Sequence, residues 1–301
     1  MINWSTPDMD FITASARICS GHRRLGSDTS LANIYLLSGK YDTKTAIAGN
    51  TVLRYYNGSK PNRRGYGFPL SGTKTDFGEI FGLLRQDAKE RGVPLEFCLC
   101  DERQKTAIDA VCRVEWEFTD DDSDYIYNRE SLASLAGKKL HRKRNHINSF
   151  RKLYDDTQYR ELDDSTAADA LTVAEQWLAE RDEVSDVERM ELDSIHRAVK
   201  YRRELGIFGG VLYVGEVPAA MTMASVISDC AVDVHFEKAV GEYADNGAFT
   251  VINQCFASSE RAAAAEYLNR EEDMGIAGLR TAKESYFPAF KLKKYYGVCK
   301  C

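Results

Sequence analysis

Residues 206–239 read GIFGGVLYVGEVPAAMTMASVISDCAVDVHFEKA. Apolar runs of strand length are broken twice by short turns, VGEV at Val214–Val217 and SDC at Ser228–Cys230. That pattern predicts three antiparallel strands in succession. A helix over Ala167–Arg181 precedes them, with Ala170, Leu171, Ala174, Trp177 and Leu178 on one stripe. Val184–Leu205 is a second helical stretch. After the strands come the turn GEYADNGA, the helix FTVINQCFASSERAAAA, the strand EYLNREED and the helix GLRTAKESY. This order implies an α/β (α+β) fold, a mixed and mainly antiparallel sheet flanked by helices.

The first part of the chain has a similar rhythm. RGYGFPL reads as a strand, DFGEIFGLLRQDAKERG as a helix, LEFCLC as a strand and DERQKTAIDAV as a helix. Phe77 to Leu95 and Phe249 to Tyr267 each span 18 positions. The match is of rhythm and not of residue identity, and it suggests two copies of one unit. The acidic run TDDDSDY, Thr119–Tyr125, is the best seam. The expected domains are therefore 1–123 and 124–301. RGYGFPLSG contains no carboxylate pair, so the first is expected to be structural and the second to carry the site.

Charge and composition narrow the function. The 301 residues carry a formal net charge of −6 and neither half is basic, which argues against nucleic-acid binding by bulk charge. The longest apolar runs fall far short of the about 18 residues of a membrane span. The N-terminal stretch has early acids and no signal-peptide order, so a cytoplasmic protein is expected. Eight cysteines include no C-x-x-C pair. Reduced, mostly buried thiols are expected, with no metal site.

Strand alternation points to chemistry. In AVDVHFEKA, Asp233, His235 and Glu237 are expected on one face and Val232, Val234 and Phe236 on the other. In YLNREED, Asn269, Glu271 and Asp273 alternate in the same way. Polar faces on two such strands suggest a cleft, although a half-exposed edge strand fits the first of them nearly as well. Acyl transfer to an amine or hydroxyl needs a base and donors for an oxyanion. Glu237, His235, Glu271 and Asp273 are the candidate bases, with Glu237 or Asp273 favoured and His235 orienting. Arg280 and Lys283 are candidate donors and anion holders, unless they only bridge to Glu271 or Asp273. Lys238, Asn253, Asn269 and Tyr286 are further candidate substrate contacts. Gly247 and Ala248 open a helix and are the candidate phosphate-binding loop.

The segment GKKLHRKRNHINSF, Gly137–Phe150, reads as an amphipathic helix. Leu140, Ile147, Phe150 and Tyr154 make an apolar stripe with Arg144 inside it, while His141, Asn145, Asn148 and Lys152 make a polar one. Arg144 is expected to meet a buried partner such as a cleft carboxylate, or else a substrate. Lys143, Arg144 and Asn145 complete the candidate substrate contacts. The exposed lysines suit a phosphate-rich ligand, or balance the acids nearby.

Helix, helix, antiparallel strands, then strand–helix–strand is the order of an N-acyltransferase (GNAT) fold. GKKLHRKRNHINSF, HFEKA with NGAFTVIN, and YLNREEDMGIAGLRTAKESYFP together resemble the phosphatidylglycerol lysyltransferase C-terminal-like family. The resemblance covers most of the chain and is densest over 125–296. It implies two tandem GNAT-like domains, with acyl transfer in the gap where two neighbouring strands splay. It implies an aminoacyl-tRNA donor, with acyl-CoA as second choice because the Q/R-x-x-G-x-G/A signature is missing. The acceptor it implies would be an amine or hydroxyl on a lipid, small molecule or peptide. The alternative is a ligand- or tRNA-binding protein on a degenerate GNAT scaffold.

Overall fold

The computed structural model describes residues 2–21, 23–72 and 76–300, and only the backbone of Pro61. Met1 and Cys301 lie outside the described residues. The strands are β1 Lys44–Ala48, β2 Thr51–Asn57, β3 Arg64–Tyr66, β4 Glu96–Cys100, β5 Val114–Phe118, β6 Asp124–Asn128, β7 Thr157–Glu161, β8 Phe208–Val214, β9 Val217–Ser228, β10 Ala231–Ala239, β11 Tyr267–Asn269, β12 Phe290–Leu292 and β13 Tyr295–Cys299. The helices are α1 Met9–Ile18, α2 Leu31–Leu36, α3 Phe77–Arg91, α4 Glu102–Asp109, α5 Arg129–Ser134, α6 His141–Leu153, α7 Ala167–Ala179, α8 Asp186–Lys200, α9 Gly241–Asp245, α10 Ala248–Ser258, α11 Glu260–Ala263 and α12 Ala277–Glu284.

Local signals explain most of these boundaries. Asp101 and Gln104 satisfy each other's backbone N–H groups at the start of α4, and Ser185 and Glu188 do the same for α8. Gly92 ends α3 in a left-handed conformation at φ 64°, with its N–H on Lys89 O. The turn expected at GEYADNGA is instead the short α9, followed by Gly247 at φ 106°.

The strands form two sheets, ordered β1-β2-β3-β4-β13-β5 and β12-β6-β11-β10-β9-β8-β7. Each is antiparallel except for one parallel pair, β3 with β4 and β10 with β11. Both parallel pairs are joined through helices, as parallel strands require. The rhythm read in the sequence is therefore a repeat of topology, and the fold is two tandem GNAT-like units.

The units exchange strands. β5 and β6 are consecutive, yet they lie in different sheets, and so do β12 and β13. A division at 123/124 matches the first change of sheet. It leaves β13 on the other side from the sheet it completes. The N-terminal helices also cross over: Phe11, Ile12, Ile34 and Leu36 pack in one core with Val173, Trp177, Ile195, Met221 and Phe236.

Charges are buried where the units meet. Lys294, just before β13, pairs with Asp28 and, at 3.1 Å, with Asp124 of β6. Arg54 of β2 pairs with Asp28 at 2.9 Å, and Asn269 Nδ2 donates to Asp124 at 2.7 Å. Burial works against the Asp28 carboxylate, but Lys294 and Arg54 outweigh it and hold it below its ordinary value.

Cys19, Cys98, Cys100, Cys112, Cys230 and Cys255 are free thiols, and Cys19, Cys98, Cys100, Cys230 and Cys299 are buried. Among the described residues no helix is long and apolar enough to cross a membrane.

Candidate active site

β10 and β11 pair at only three positions, Ala231 with Tyr267, Val232 with Leu268 and Asp233 with Asn269. β10 then runs on to Ala239, while β11 stops. The two strands part there and leave a gap in the middle of the second sheet.

Two irregularities decide which side chains line that gap. The first is a bulge. Val234 pairs with Ala224 of β9 and Phe236 with Met223, so His235 is an extra residue. An inserted residue moves everything beyond it to the other face. Val232 and Val234 pack towards α10, in the core with Phe256 and Ala257. Past the bulge Phe236 packs on the opposite face, with Trp177 and Ile195. Glu237 accordingly turns to α10, where Asn253 Nδ2 donates to it at 3.1 Å. The expectation of Asp233, His235 and Glu237 on one face is corrected: only the first two share it. Nor is β10 an edge strand, since it lies between β9 and β11 and is buried.

The second irregularity follows β11. Glu271 has φ 57° and Met274 φ 55°, so the chain leaves extended geometry after Asn269. Lys283 is buried and its ammonium donates to the carbonyls of Arg270, Glu271 and Glu272. The expected strand alternation of Asn269, Glu271 and Asp273 therefore fails, and each goes elsewhere. Asn269 bonds Asp124 and Leu25 O. Glu271 Oε1 accepts from Asn33 Nδ2 at 3.0 Å and lies 3.4 Å from His235 Nδ1. Asp273 is buried and accepts from Arg280, Tyr125 Oη and Gly275 N–H. Burial would raise the Asp273 carboxyl, but these donors hold it far below the usual carboxylate range. Asp273 is thus not a suitable base, and Arg280 and Lys283 are structural partners, not free anion holders.

The α10 side of the gap holds Glu237, Arg270, Asn253, Lys143 and Tyr286. Arg270 Nη2 donates to Glu237 Oε1 at 2.8 Å. Lys143 Nζ sits 3.7 Å from the centre of the Tyr286 ring, and the Arg270 guanidinium 5.0 Å from it. Burial, with Arg270 nearby, pushes the Lys143 ammonium down to about 8.

The other side holds Asp233, His235 and Glu271. His235 and Glu271 line a cavity of about 610 Å³ that also touches Lys40, Glu191 and Arg197. Burial, and then Glu271 and Asp124, push the Asp233 carboxyl well above its usual value. Lys238, turned to this face by the bulge, is buried against Trp177 and pairs with Glu191 at 2.9 Å.

The remaining expectations fall away from the gap. Among the described residues Arg144 meets no carboxylate; it donates to the carbonyls of Leu135 and Gly137, tying α6 to the end of α5. Asn145 is exposed and contacts His141. Gly247 N–H is taken by Ala244 O, Ala248 is buried, and His146 of α6 stands against Gly247. Gly247 therefore has no free N–H to offer a phosphate.

Arg270 was not singled out by the sequence, and Asp233 was placed on the polar face of its strand without being named as a site residue. Arg270 follows the last residue of β11, and nothing local marks where that strand stops. The acid–x–His spacing of Asp233 and His235 was visible, but the bulge that keeps the pair apart from Glu237 was not.

Two tandem units with a splayed parallel pair define a GNAT-type acyltransferase architecture. The sequence profile of the phosphatidylglycerol lysyltransferase, C-terminal family matches residues 21–297, and the chain belongs to that family. Among solved structures it is similar to a conserved protein of unknown function from Bacteroides thetaiotaomicron, with 27% identity, TM-score 0.90 and 100% of both chains covered. It is also similar in fold to L-PGS from Bacillus licheniformis, with 13% identity, TM-score 0.66, and 97% of this chain and 92% of that one covered. Comparison with curated proteins found no match.

Proposed function

We propose that this protein transfers an aminoacyl group from aminoacyl-tRNA to an amine or hydroxyl acceptor, with the reaction in the gap between β10 and β11. The observation that carries this reading is the Glu237–Arg270 pair, held inside that gap by Asn253 in a chain of this family. The acceptor nitrogen or oxygen attacks the ester carbonyl and Glu237 takes its proton. The carbonyl oxygen becomes an oxyanion beside Arg270; as it collapses, the ester C–O bond breaks and the ribose hydroxyl leaves with the proton returned by Glu237. The covered start of α10 disfavours a CoA pyrophosphate and supports tRNA as the donor.

Purified protein incubated with a mixture of charged tRNAs should discharge them to an acceptor. Glu237→Gln should slow this by about 10²-fold or more while leaving the circular dichroism unchanged. Equal rates for wild type and variant would sink the assignment.

Lys143 gives a pH test. Its ammonium is charged below about 8 and neutral above. Donor affinity is expected to fall as pH rises from 7 to 9, and the fall should vanish in Lys143→Met. A parallel fall in both proteins would remove Lys143 from donor binding.

A further inference from the structure

On the Glu237 side of the gap the carboxylate has a cationic partner in Arg270, but among the described residues the one across the sheet does not. Asp233 is fully buried, and neither carboxylate oxygen meets a hydrogen-bond donor among the described residues. A buried carboxylate without partners is costly and rare in folded proteins. Its Oδ2 lies 3.4 Å from His235 Nδ1, and that same nitrogen lies 3.4 Å from Glu271 Oε1. One imidazole nitrogen offers one proton or one lone pair, so it cannot satisfy two carboxylates at once. The three donor atoms lie within 4.8 Å of one another.

We propose that Asp233, His235 and Glu271 bind a divalent transition-metal ion of the Zn²⁺ or Mn²⁺ type. The charge balances, since two carboxylates and a neutral imidazole match a dication. The donor set selects the class: imidazole with carboxylates suits Zn²⁺ and Mn²⁺, whereas Mg²⁺ and Ca²⁺ favour oxygen alone. The surroundings orient the ligands. Ser225 Oγ lies 2.8 Å from His235 Nε2 and, as acceptor of that N–H, leaves the Nδ1 lone pair facing the carboxylates. Ser225 is in turn 3.1 Å from Ser30 Oγ, and Asn33 Nδ2 donates to Glu271. His235 and Glu271 border the 610 Å³ cavity, so the ion has open positions for a ligand oxygen. Both backbone irregularities converge here. The bulge leaves Asp233 and His235 together, and the left-handed turn brings Glu271 to them. This binding does not depend on the acyl-transfer reading.

The test uses the full chain, stripped with a chelator and then titrated with Mn²⁺, which the cysteines bind weakly. One Mn²⁺ per chain and a rise in thermal midpoint are expected, with Zn²⁺ competing for the same site. Asp233→Asn and His235→Ala should each lower the affinity at least 100-fold, and Ser225→Ala about 10-fold. Without metal, Asp233→Asn should melt close to wild type, because it replaces the unpartnered carboxyl by a neutral group of the same size; a folding failure then cannot pass for lost binding. Equal Mn²⁺ affinity in wild type and Asp233→Asn, or Mg²⁺ binding as tight as Mn²⁺, would overturn the proposal.

Discussion

A chain that ends at Lys294 is expected to lose its first sheet. β13 is paired on both sides, with β4 at Tyr295–Cys100, Gly297–Phe97 and Val298–Glu96, and with β5 along its whole length. Every residue of β4 is buried. Without β13 the backbone groups of β4 on that edge lose their partners, its buried side chains lose their cover, and β5 is cut off from the sheet. Each lost bond costs about 1 kcal/mol, and each buried group left unpaired about 1–3 kcal/mol more. The sum is on the order of the 5–15 kcal/mol that holds a whole domain folded. Urea unfolding and limited proteolysis would show it as a lost cooperative transition and rapid cleavage before residue 119. A truncated protein with the wild-type urea midpoint would mean that β13 does not hold the sheet.

Lys294→Met should cost about 3–5 kcal/mol of stability, because it removes a buried ammonium from two buried carboxylates, leaving Asp28 with Arg54 alone and Asp124 with neutral donors only. Burial opposes the charge on Lys294, yet Asp124 and Asp28 hold its ammonium protonated far above the ordinary lysine value. Normal titration therefore does not mimic the mutation. A second change, Asp124→Asn, should return part of the loss, since it removes a buried charge left without its cation. Strictly additive losses in urea denaturation would show that the two residues are not coupled. The pair also joins β6 of one sheet to the approach to β13 of the other, so the variant is expected to loosen both units together.

The local features were readable in advance. Alternation and turn signals located β8, β9 and β10, and the apolar stripe of 167–181 located α7. The family motifs lie along the segments that build the gap. Roles within the gap were less legible. Glu237 and His235 were named from alternation, but alternation assumes an unbroken ladder. The bulge against β9 put them on opposite faces. Asp273 was named as a base and Arg280 as either an anion holder or a bridge to such a carboxylate, and the two are partners of one another. Arg144 was read as needing a carboxylate and found two backbone carbonyls instead.

Helix caps, apolar periodicity and tight turns act over a few residues, so the chain itself specifies the order and kind of its elements and the α/β class. The exchange of β6 and β13, the buried Arg54–Asp28–Lys294–Asp124 seam, and the meeting of Asp233, His235 and Glu271 are different. Each joins segments tens to hundreds of residues apart, and each depends on which strands pair and where pairing slips or stops. Those choices are made by burial and hydrogen bonding across the whole molecule, and only the packed structure contains them.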